Sequence, residues 1–73
     1  MTPEKWLSDK IKEKGIKQRF IAEKIGISEQ AFSFSMTGRR NLQTEEFLAA
    51  CDAIGEDPRE YFSLKKEEAA ANA

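Results

Sequence analysis

Four glycines, at positions 15, 26, 38 and 55, constrain this chain more than any other feature. Each closes a stretch of helix-favouring residues, and glycine takes the left-handed backbone of a helix stop at no steric cost. Residues that open helices stand at the other ends of these stretches: Thr2 before Pro3, Ser28 before Glu29, Thr44, and Asp57 before Pro58 with Glu60 beyond. Ser, Thr and Asp accept hydrogen bonds from otherwise unpaired first-turn amides, and proline at the first position loses nothing by lacking an N–H. No stretch alternates as a half-buried strand would. The chain therefore reads as all-α, with five short helices over about 3–14, 18–25, 29 to 36 or 37, 44–54, and from 58 onward. After Leu64 there is little to bury, so 1–64 is expected to form one domain and 65–73 a frayed tail.

A chain of 73 residues hides only about 60% of its extended surface on folding, which leaves little room for a catalytic cleft. Hydrophobic residues at 40% and charged residues at 34% are enough for a folded core without wholesale disorder. With no His and one Cys, the sequence excludes Cys/His zinc sites, a Ser/His/Asp triad, a CxxC pair and an internal disulfide. Neither a signal peptide nor a transmembrane span is evident. The expectation is a non-enzymatic protein of the cytoplasm, with no cofactor, no membrane partner and no evident small-molecule ligand. Cys51, within the apolar face Phe47, Leu48, Cys51 and Ile54, reads as a small buried hydrophobe.

Net charge is −1, but its distribution is uneven. From Met1 to Leu42 nine Lys or Arg stand against five acids, and from Gln43 to Ala73 three stand against eight. The first half is thus suited to an anionic partner.

Within that half, Gln18 to Ser33 reads QRFIAEKIGISEQAFS, two short helices joined by a tight turn. Ala22 permits close helix approach, Gly26 suits positive φ, and Ile21, Ile25, Ile27 and Phe32 can fill the space beneath. This stretch resembles the XRE or Cro/CI-type helix-turn-helix repressors of bacteria and phages, with Gln18, Ile21-Ala22 and Gly26-Ile27-Ser28 at the matching positions. The resemblance runs from about Leu7 to Phe62, including Gly38-Arg39-Arg40 and the Ala53-Ile54-Gly55 ending. It implies a lambda-repressor-like fold whose third helix enters the major groove of double-stranded DNA. Carried over by position, Lys17, Gln18, Thr37, Arg39, Arg40 and Asn41 would hold phosphates, while Glu29, Gln30, Ser33 and Phe34 would face base edges. Glu29 could equally serve as a helix former at an N-terminus.

Phe34 and Met36 depart from the family pattern. A polar side chain is usual at the first position, so Phe34 must meet a thymine methyl, bury itself with Ser35 turned outward, or join a protein interface. At the second the family has Glu, paired with an Arg whose position here is Ile11. Both members being apolar implies packing between helices 1 and 3 in place of an ion pair. Trp6, Leu7, Phe20, Phe47, Leu48 and Ile54 are expected in the core or at its margin.

The expected function is a sequence-specific transcriptional regulator, a small Cro/CI-like repressor that binds a palindromic operator as a homodimer. Tyr61, Phe62 and Leu64 are candidates for the dimer interface or else for core cover. The alternative is a protein-binding helix-turn-helix module, an antirepressor or antitoxin, that grips its partner with Phe34 and Met36.

Overall fold

The computed structural model describes residues 1–71, and among these it contains five α-helices and no strand. They are α1 (Pro3–Lys14), α2 (Gln18–Ile25), α3 (Glu29–Met36), α4 (Thr44–Ile54) and α5 (Pro58–Ala71). Their limits follow local chemistry. The Thr2 hydroxyl accepts from the Lys5 amide at 3.1 Å and the Ser28 hydroxyl accepts from the Ala31 amide at 3.1 Å. At the other ends each glycine has positive φ, and the residue after it donates its amide to the carbonyl five residues back, as in Ile16 to Ile11 and Arg39 to Phe34.

Two limits differ from the expectation. The N-cap of α4 is Gln43 and not Thr44, because the Glu46 side chain reaches back to the Gln43 amide at 2.9 Å. The expected tail, 65–73, is helical as far as Ala71, and its last two residues lie outside the described range. Once Pro58 starts α5, each further Lys, Glu or Ala adds a hydrogen bond without a new nucleation cost. The Met1 ammonium also meets the Glu68 carboxylate at 2.9 Å.

The core lies where α1 packs on α3 and α4, and α2 on α3 and α4. Leu7, Ile11, Ile21, Ala22, Phe32, Met36, Ala50, Cys51 and Ile54 fill it. Trp6, Phe47 and Tyr61 extend it as a cluster with ring centroids 5.7 to 6.0 Å apart. Tyr61 is only 2% exposed and its hydroxyl donates to the Met1 carbonyl at 3.3 Å, so this interface candidate is a core residue. Phe62 is 55% exposed and Leu64 is also on the surface.

Leu48 and Phe20, expected in or near the core, are exposed. Helix periodicity explains both: the buried stripe of α4 is Phe47, Ala50, Cys51 and Ile54, and Leu48 lies about 100° off Phe47. In α2 the inward residues are Ile21 and Ala22, and Phe20 sits at the far edge with the Lys24 ammonium 5.4 Å from its ring centre. No described helix is long and apolar enough to cross a membrane.

Candidate nucleic-acid interface

Gly26 makes the turn between α2 and α3, with φ 80°, and its amide and that of Ile27 both donate to the Ala22 carbonyl at 2.9 and 3.1 Å. This fixes α3 with Phe32, Ser35 and Met36 turned inward. The opposite face is consequently solvent-facing, and its centre carries Gln30, Phe34 and Thr37, with Glu29 and Ser33 along one side. Glu29 and Gln30 are exposed and Ser33 is half-buried. Among the described residues, no hydrogen bond or ion pair engages the Glu29, Gln30 or Ser33 side chains, which leaves their polar atoms to solvent or a partner.

Of the alternatives for Phe34, the outward position is the one observed. Phe34 is 37% exposed and Ser35 is completely buried, the reverse of the rotation that would have hidden the phenyl ring. The Ser35 hydroxyl is satisfied inside, donating to the Ala31 carbonyl at 3.3 Å and accepting from Arg40 at 3.0 Å. Met36 is 8% exposed, so it cannot grip a partner alongside Phe34. It shares the core with Ile11, which is 4% exposed.

The candidate phosphate-holding residues stand before and after α3 in the sequence. Before it, Lys17 is the N-cap of α2 and Gln18 the first residue, and no side chain caps the α2 amides. A helix N-terminus in that state favours an anion through its free N–H groups and dipole. At the far end Thr37 is exposed, its hydroxyl donating to the carbonyls of Ser33 and Phe34, both at 3.2 Å. Arg39 and Asn41 are exposed, and the Arg39 guanidinium lies over the Phe34 ring, 5.6 Å from its centre. No carboxylate pairs with Lys17 or Arg39 among the described residues.

Arg40 differs from the rest of the expected clamp. Its guanidinium is held by both Glu46 carboxylate oxygens, at 3.0 and 2.9 Å, as well as by Ser35. An occupied fork of this kind is not available to a phosphate without breaking the pair. Arg40 therefore ties the loop between α3 and α4 to both helices and is removed from the set of free phosphate ligands. The pairing pushes the Arg40 pKa up and the Glu46 pKa down, the latter first through Arg40 and also through the Gln43 amide, against an opposing effect of burial. Glu4 adds a third tie from α1, accepting the Leu42 amide at 2.8 Å. Sequence reasoning missed Glu4, Ser35 and Glu46. Only Glu46 had a local signal, its position three residues after Gln43.

The single thiol, Cys51, is buried, and desolvation, reinforced by Glu56 and Asp57, pushes its pKa up to about 11. No group of three or more potential metal ligands gathers among the described residues. Compared with models of protein families, with curated proteins and with solved structures, the chain matches none.

Proposed function

We propose that this chain is a lambda-repressor-like helix-turn-helix protein that binds double-stranded DNA at specific sequences and regulates transcription, as a small Cro/CI-like repressor does. The observation that carries the reading is the outer face of α3. The Glu29, Gln30 and Ser33 side chains, without internal partners, lie along it, the uncapped start of α2 with Lys17 and Gln18 lies in sequence before it, and Arg39 lies beyond its end. In the major groove Gln30 would pair with adenine N6 and N7, Glu29 with cytosine N4, and Ser33 with either donor or acceptor edges. Lys17, Gln18, Arg39, Thr37 and Asn41 would meet phosphates and set the register without reading sequence.

One copy offers few contacts, so two copies on a palindromic operator, with half-sites roughly 34 Å apart, supply the affinity. Phe62 and Leu64 are the exposed apolar residues of α5 available to join them. The test is selection of bound duplexes from a random DNA pool. Enrichment of a palindrome supports both class and symmetry, whereas no enrichment turns the reading to a protein partner. Two exposed aromatic residues, Phe20 and Phe34, favour that second reading, now without Met36.

A further inference from the structure

We infer that Phe34 and Arg39 act as one unit that reads the C5-methyl group of a pyrimidine in the major groove; this rests on the DNA-binding reading above. The unit is built by the end of α3. Arg39 donates its amide to the Phe34 carbonyl at 2.8 Å and Gly38 donates to Ser35 at 3.3 Å, the paired bonds that close a helix through a left-handed glycine. In this closure the residue after the glycine lies against the helical residue five positions earlier, a contact that is usually apolar. Here it is a guanidinium on a phenyl ring, 5.6 Å from its centre, and Phe34 as a residue still keeps more than a third of its surface open.

What that open surface can meet follows from the chemistry of the groove. Base edges there present N7, O6, O4 and amino groups, every one a hydrogen-bonding group except the methyl of thymine or 5-methylcytosine. A phenyl ring against any of the polar groups would desolvate it without compensation, whereas against a methyl both partners lose apolar surface to water. Phe34 lies one helical turn beyond Gln30 on the same face. The two side chains therefore address neighbouring base pairs, one by hydrogen bonds and the other by apolar contact. Arg39 places a cation at the edge of the same contact, and because the ring already restrains it, less side-chain freedom is lost when it meets a phosphate.

The experiment uses a duplex selected by the protein, with each thymine replaced in turn by deoxyuridine, and titration followed by fluorescence anisotropy. At one thymine position of the half-site, a replacement is expected to weaken the wild-type protein by about three- to four-fold for each methyl removed, the worth of one buried methyl. Cytosine at that position should weaken binding further, and 5-methylcytosine should recover part of the loss, which separates the methyl group from thymine as a whole. Phe34→Ala, and Phe34→Gln in case the alanine variant fails to fold, should bind thymine and deoxyuridine duplexes equally. A Phe34 that merely closes the helix would lower affinity on every duplex and leave the deoxyuridine response intact, which overturns the inference. Selected DNA with no deoxyuridine response overturns it alone, and a protein that selects no DNA overturns it together with the DNA-binding reading.

Discussion

Arg40 and Glu46 hold each other by two parallel hydrogen bonds, at 3.0 and 2.9 Å, across the loop between α3 and α4. The same carboxylate accepts the Gln43 amide and the same guanidinium reaches the buried Ser35 hydroxyl, so one pair fixes the loop and two helix ends. Arg40→Ala is therefore expected to lower the thermal midpoint measurably by circular dichroism. Lys17→Ala, on an exposed side chain with no carboxylate partner among the described residues, should leave it nearly unchanged.

The pair also predicts an acid limb. Arg40 depresses the Glu46 carboxyl in the folded state, so the unfolded chain takes up the proton first as pH falls. The stabilisation is fully present above the unfolded carboxyl value of about 4.3 and is lost as pH drops through the lower folded value. Asp57, depressed by hydrogen bonds from Arg59, acts with the same sign. Urea unfolding between about pH 5 and pH 2 should show a falling midpoint, with a shallower slope in Glu46→Gln.

Ile11 and Met36 occupy one core, and their coupling is measurable. Met36→Ala should destabilise by about 2 to 4 kcal/mol through lost burial and a cavity. Met36→Glu should be worse, since it buries an unpaired charge, and Ile11→Arg with Met36→Glu should recover much of that loss. A double-mutant cycle by urea unfolding checks this, and strict additivity would mean that the two side chains do not meet.

Base reading and phosphate holding separate by their sequence dependence. Gln30→Ala should cost about 1 to 3 kcal/mol on the preferred duplex and relax preference at one base position. Lys17→Ala should weaken all duplexes by a similar factor and make the salt dependence shallower by about one unit of slope. With about four to six phosphate contacts per dimer, log K against log salt should fall with a slope of about −4 to −5. Anisotropy titrations at several salt concentrations measure both, and a flat response on selected DNA would end the proposed function.

Gly38→Ala isolates the cost of the left-handed stop. A Cβ there would touch nothing within 4 Å, so the loss is conformational, about 1 kcal/mol, with the φ of 84° as its cause. Urea unfolding measures the loss, and a neutral result would show that the backbone had relaxed out of the left-handed region.

Much of the fold was legible because helix limits are written in neighbouring residues. Thr2, Ser28 and the four glycines act within a turn of where they stand, so the ends of α1, α2 and α3 follow from the chain alone. The burial of Cys51 was legible for a similar reason, as it lies in the middle of an apolar stripe of α4. Orientation at the stripe edge was not: Tyr61 and Phe62 are adjacent and equally apolar in pattern, and only the position of Trp6 and Phe47 selects Tyr61 for the core.

The candidate site divides along the same line. Glu29, Gln30 and Arg39 come from the resemblance, and the exposure of Glu29 and Gln30 agrees with the helical period of α3, since an outward face of a short helix is a local property. Arg40 could not be separated from Arg39 in that way. Which of two neighbouring arginines stays open to an anion depends on where Glu46 and Ser35 stand in space, and loop residues have no period from which to read it. Local hydrogen bonding and helical period thus determined the elements from sequence, whereas the partners of charged and aromatic side chains awaited the packing of α1, α3, α4 and α5 against one another.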